Sequence, residues 1–249
     1  MPHAFEVRKE IEFQASPEEV WEAIATGAGI DGWYLGTGNE VEPRLGGKVR
    51  ISFGNEDSEG GTSTVSAWDP PNRFAHRGDA HPDGSLHAMK YIVEGRAGGT
   101  TVVRLVHSGF LADDWEAEYD ALNEGDFMYL HQMTQYVTYF RGRPAKLVTA
   151  WRSDTDRERG LATLHAAMGV SDSPKEGDPV RFAAEGIPAI EGVVDFVSPN
   201  LVGFRASDAL YRFQIAPGFA YAGHHLYRDD VDVEAMTAAW QAWLDGSFA

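Results

Sequence analysis

The sequence runs to 249 residues, 43% of them hydrophobic, enough for one large core or two ordinary ones. Cysteine is absent, which excludes disulfides, thiol nucleophiles and thiolate metal sites together. A net charge of −17 with no basic patch argues against nucleic-acid and anionic-membrane partners, and no apolar run nears the roughly 18 residues of a membrane span.

The opening MPHAFEVRKE lacks the apolar stretch of a signal peptide, so a cytoplasmic location is expected. FEVRKEIEFQA (5–15) alternates apolar and charged side chains, apart from a lapse at Lys9, and reads as a half-buried strand. Ser16 then stops it and caps a helix. Its hydroxyl can accept from the Glu19 N–H while Glu19 reaches back to the Ser16 N–H, and Pro17 takes a first-turn position where its missing N–H costs nothing. Val20, Trp21 and Ile24 give that helix one apolar stripe, and the glycines of TGAGIDGWY end it.

Five short β-branched or aromatic runs follow: 46–54, 59–70, 72–79, 86–96 and 100–110. Gly, Asn, Asp or Pro bounds each, which predicts sequential strands joined by tight turns in an antiparallel sheet. DDWEAEYDALNEGD (113–126) holds seven acids and no base. Such a run is usually a solvated helix; a docking surface for a basic partner is the sharper reading, and scattered acids make a poor metal cage. Phe127, Leu130, Met133, Thr134, Val137 and Phe140 fit a long helix ending near Gly142, with Pro144 beyond. A curved antiparallel sheet with one long helix across its concave face follows, and such a pair can leave a cavity between its layers.

The pattern then recurs. AKLVTAWR (145–152) reads as a strand, Thr155 and Glu158 offer a second capping box, and Leu161, Leu164 and Met168 supply a stripe. GDPVRFAAEG, AIEGVVDFVSPNLVGFRASD, ALYRFQIA and FAYAGHHLYRD give further strands. Val233, Met236, Trp240, Trp243 and Leu244 close the chain at helical spacing. Two domains are expected, 1–143 and 144–249.

IEFQASPEEVWEAI, GGKVRISF, VSAWDPPNRF and TTVVRLVHSGF, followed by a long aromatic-bearing helix, resemble the SRPBCC superfamily, the helix-grip fold of START domains and birch-pollen allergens. Within it, the first half is most similar to the branch of homologues of the activator of the heat-shock protein 90 ATPase. The second half resembles a shortened, degenerate copy that has lost the GWY and HSGF motifs. The resemblance implies an α+β fold of two tandem helix-grip domains, each a curved antiparallel sheet wrapped on a long C-terminal helix. It also implies an apolar cavity in the first, and no fixed catalytic set.

Individual residues carry less. His107 shares a strand side with Val103 and Leu105 and so faces the core or cavity, where a histidine is more often structural than a catalytic base. Ser108 points the other way, which argues against a serine–histidine nucleophile. The pair His224–His225 diverges on its strand and cannot chelate one ion; His76, His81 and His87 cluster loosely; no metal and no cofactor are expected. Trp33, Tyr34, Trp68, Phe74, Met89, Tyr91, Phe110, Trp115, Tyr129, Met133 and Tyr136, with His107, are the candidate ligand-lining residues, though aromatics and methionine commonly just fill a core.

The leading expectation is non-enzymatic, stress-related binding of an apolar or aromatic small molecule in the first domain, the second being structural, an interaction surface or a cover. The alternatives are a co-chaperone-like protein-interaction module using 113–126, and a cyclase, hydratase or hydrolase with His107 as acid or base.

Overall fold

The computed structural model describes residues 2–52, 61–112 and 115–248, and the chain divides into two compact units, Met1–Arg143 and Pro144–Ala249. In the first unit β1 (His3–Phe13) leads into α1 (Pro17–Ala25) and the one-turn α2 (Gly27–Asp31). Strands β2 (Glu40–Val41), β3 (Lys48–Ile51), β4 (Gly61–Asp69), β5 (Arg73–Gly78), β6 (Leu86–Gly95) and β7 (Thr101–Leu111) follow, then α3 (Trp115–Gln135) and a π-helical turn, Tyr136–Phe140. The seven strands form an antiparallel sheet in the order β1-β7-β6-β5-β4-β3-β2, so the first strand pairs with the last and the rest form a meander.

The Ser16 capping box forms with both of its hydrogen bonds, 3.3 Å from Glu19 N–H to Ser16 Oγ and 2.8 Å from Ser16 N–H to Glu19. Val20 and Ile24 are buried on the stripe, whereas Trp21 stays half-buried, edge-on to Trp68 and Phe74. Concave-face residues such as Phe13, Val103 and Phe74 are fully enclosed, each worth about 1.5–3 kcal/mol of burial.

The long helix differs from the sequence reading at both ends. It takes in most of the acidic segment from Trp115 onward; Asp113 and Asp114 lie outside the described residues. It also changes to π geometry at Tyr136, two residues past Thr134, whose hydroxyl donates to the Leu130 carbonyl at 3.0 Å. Phe127 is 44% exposed and lies off the buried stripe, where Lys9 sits over its ring.

The second unit has the same order of elements. β8 (Lys146–Ser153) and α4 (Arg157–Met168) precede β9 (Pro179–Ala184), β10 (Ile187–Val197), β11 (Leu201–Arg205), β12 (Ala209–Ala216), β13 (Phe219–Leu226) and α5 (Val233–Ser247). Its six-stranded antiparallel sheet runs β8-β13-β12-β11-β10-β9, again with first strand beside last. The chain is thus α+β, two helix-grip units in tandem. The cap of α4 is Asp156 rather than Thr155: the Asp156 carboxylate accepts the Arg159 N–H at 2.8 Å, and Thr155 is buried one residue earlier. A carboxylate outcompetes a hydroxyl for that site because it also meets the positive end of the helix dipole.

The second core is filled with rings. Phe182, Phe204, Phe213, Trp240 and Trp243 stack or meet edge-on. His224 is enclosed among them, its ring 4.2 Å from that of Trp240 and edge-on to it at 66°. Burial drives its pKa down to about 3, so it sits there as neutral imidazole. On the same sheet Arg212 and Asp195 form a bidentate pair at 3.0 and 2.8 Å, both buried.

Candidate functional site

Sequence-local features set the first unit's interior. Gly32 has to be glycine because a Cβ there would sit 2.3 Å from the Tyr136 ring, and this close approach seats α2 under the π-turn. Trp33 then turns inward. Its indole N–H donates to the Ala23 carbonyl at 2.9 Å, while Gln132 of α3 donates to the Trp33 carbonyl at 2.7 Å. Asp31 accepts from the Gly38 and Asn39 backbone N–H groups, which closes the loop that follows.

Beneath α1 and α2 lies a small cavity of about 30 Å³. Ile24, Ile30, Trp33 and Tyr34 form its roof, and Ile51, Phe74, His76, Met89 and Tyr91 its sheet floor. The volume suits about two water molecules. Of the candidate lining residues, the structure brings Trp33, Tyr34, Phe74, Met89 and Tyr91 to this wall.

The others stand elsewhere. Trp68 packs with Trp21 and Phe74. Tyr129 lies behind Tyr34, ring centres 4.8 Å apart, and Met133 and Tyr136 are buried in the core. Phe110 is 43% exposed on the outward side of β7, and Trp115 stacks on His3. Their absence from the wall has a physical reason. The amino half of α3 packs directly on the β1 edge through Trp115, Tyr119 and Leu122 against Phe5, Val7 and Leu111. The space instead falls under the short α2.

The wall is uncharged at neutral pH. Burial, and secondarily the electrostatic influence of nearby His107, lowers the pKa of His76 to about 4, and its Nδ1 meets Ser63 Oγ at 2.7 Å. Burial and then the Asp126 carboxylate push the Tyr34 phenol well above its usual range. Tyr91 is raised likewise, by burial, Tyr34 and Asp126. Both therefore remain hydrogen-bond donors.

Beside the cavity runs a line of polar groups that the sequence reading did not join. His107 Nδ1 lies 2.9 Å from Asp126 Oδ2, both residues buried, and His107 Nε2 lies 3.0 Å from His87 Nδ1. His87 Nε2 lies 4.0 Å from Glu118 at the surface. The network assigns the His107 proton to Nδ1, donating to Asp126, which leaves Nε2 as acceptor for the His87 N–H. Burial lowers the His87 pKa, His107 and His81 add to that, and Asp126 opposes it. Gly109 lets the two histidine strands close up, since a Cβ there would fall 1.8 Å from the Leu86 carbonyl oxygen.

Pairing places His107 directly opposite Met89, and Met89 opposite His76, so wall and relay share one row of the sheet. Asp126 carried a readable signal: it stands four, seven and eleven residues before Leu130, Met133 and Val137, an acid on an apolar stripe. Among the described residues no three His, Asp or Glu side chains could hold a metal ion together, and no helix is long and apolar enough to cross a membrane.

Comparison with known proteins adds the lineage. Several solved structures are similar in fold. A Mesorhizobium loti protein, MLL2253, is 20% identical, with 55% of this chain and 98% of that chain covered and a TM-score of 0.48. The Aha1 dimer from Colwellia psychrerythraea, solved in solution, is 19% identical over 55% and 99% of the two chains, TM-score 0.45. DynU16, from the dynemicin biosynthetic locus, is 15% identical over 98% of this chain and 95% of its own, TM-score 0.47. No curated protein matches the sequence. Residues 14–138, within the first unit, match the family model described as Activator of Hsp90 ATPase homolog 1-like protein, and the chain belongs to that family.

Proposed function

We propose that the first unit binds a small, neutral, apolar or aromatic molecule in the cavity under α1 and α2, the second unit being a shortened copy that serves as support. The observation that carries this reading is the cavity wall itself. Trp33, Phe74, Tyr34 and Tyr91 present ring surface, Met89 is a flexible thioether, and no wall group carries charge at pH 7. Such a wall disfavours an ion, because desolvating one costs several kcal/mol without a partner. It accepts a ring carrying a single polar atom, which Tyr34, Tyr91 or His76 can meet.

At about 30 Å³ the space is a seed for the ligand rather than its mould. Met89 is the wall residue best able to yield, having three rotatable side-chain bonds and no polar anchor. A protein-docking role for the acidic segment is less well supported, because Asp126 is buried against His107 and the exposed Glu118 lies beside His87. Met89→Ala tests the reading: it should open room for a benzene-sized ring, as large-to-small changes in closed apolar sites do. Titration of wild type and variant with benzaldehyde, followed by shifts in the amide signals of β5 and β6, should show tighter binding by the variant. No shift in either protein at millimolar ligand would refute it.

A further inference from the structure

The geometry points to chemistry at this same cavity: we propose that the first unit enolises small aromatic ketones, with His107 as the base and the Tyr34 and Tyr91 hydroxyls holding the enolate oxygen. The proposal rests on the ligand reading above and adds a reaction to it.

Three features converge. The buried Asp126 carboxylate fixes the His107 ring and its tautomer from the Nδ1 side at 2.9 Å, leaving the Nε2 lone pair as the basic atom and stabilising the imidazolium once formed. Met89, a cavity-wall residue, stands between His76 and His107 in one row of the sheet, so a ligand that displaces Met89 approaches His107. Tyr34 in the roof and Tyr91 in the floor are phenols that stay protonated at neutral pH and can donate to a developing oxyanion.

The step balances without a co-reactant. The C–H bond next to the carbonyl breaks, and its proton goes to His107 Nε2. The bonding pair becomes the carbon–carbon double bond, while the carbonyl pair moves onto oxygen, where Tyr34 and Tyr91 donate to it. His87, which occupies Nε2 in the resting structure at 3.0 Å, has to swing aside first; its side chain is 36% exposed, and Glu118 lies 4.0 Å from its outer nitrogen. Return of His87 lets the imidazolium exchange its proton with solvent, and reversal delivers a solvent-derived proton to the same carbon. Asp126 is a positioning residue here, and His107 and the two tyrosines are the groups that touch substrate.

The test uses the full chain in deuterated buffer with phenylacetone, following loss of the benzylic proton signal by NMR, and benzaldehyde, which cannot enolise, as the binding probe. Exchange should exceed that of buffer containing the same concentration of free imidazole by about a hundredfold. His107→Gln and Tyr91→Phe should each lower exchange about tenfold or more, and by more than either weakens benzaldehyde binding. Asp126→Asn should lower exchange likewise and also shift the His107 proton off Nδ1, a tautomer change visible in nitrogen-15 spectra that a merely structural carboxylate would not cause. Bound benzaldehyde with exchange no faster than imidazole, or wild-type exchange in both His107→Gln and Tyr91→Phe, overturns the enolisation and leaves ligand binding standing. If neither wild type nor Met89→Ala binds benzaldehyde, both proposals fall.

Discussion

Replacing His224 with Phe should remove most of the acid sensitivity of the second unit. In the fold this imidazole is fully enclosed by Tyr211, Phe213 and Trp240, and burial brings its pKa from 6.5 to about 3. Between those values the unfolded chain binds a proton that the folded chain refuses, so stability falls as pH drops below 6.5 and levels off below about 3. The difference costs the fold about 2 kcal/mol at pH 5 and about 3 kcal/mol at pH 4. The Phe ring keeps the aromatic contacts and gives up only the 3.3 Å contact from the Arg212 backbone N–H to His224 Nδ1, Arg212 keeping its ladder pairing with Gly223. That adds a constant loss of at most about 0.5–1.5 kcal/mol at every pH. Urea unfolding read from the amide signals of β12 and β13 at pH 7, 5 and 4 separates the two effects. The variant should start lower at pH 7 and then decline less steeply than wild type, the carboxylate contributions being common to both. Parallel declines would refute the assignment of His224 as a neutral core residue.

Two further substitutions probe the packing on which the site depends. Gly32→Ala drives a methyl into the Tyr136 ring, with 2.3 Å available where contact needs about 3.5 Å, and should cost the first unit about 1–3 kcal/mol in urea unfolding. An unchanged midpoint would mean that α2 does not rest on Tyr136. Asp195→Ala strands the Arg212 guanidinium in the second unit and should cost about 3–5 kcal/mol, with Arg212→Met on the same background recovering most of the loss. Additive losses would show that the two side chains act independently.

Much of the architecture is legible in the linear chain because its causes are local. The Ser16–Glu19 box needs only residues three apart, and it forms as read. Strand alternation and turn residues lay out a meander, and the recurrence of strand, helix, strands and helix lays out two units. Even the α4 start is misplaced by a single position, where Asp156 wins over Thr155 on charge, a contest that local spacing leaves undecided.

The site is different, because it depends on what distant residues meet. Asp126 and His107 lie 19 residues apart in the chain and touch only because α3 lies back across β7. His87 reaches His107 through strand register, and a slip of one residue would have turned it outward. The sequence determined which faces are apolar and where each element begins. Tertiary packing alone decided that a hollow lies beneath α2, since side-chain volumes on facing elements fix where space is left over.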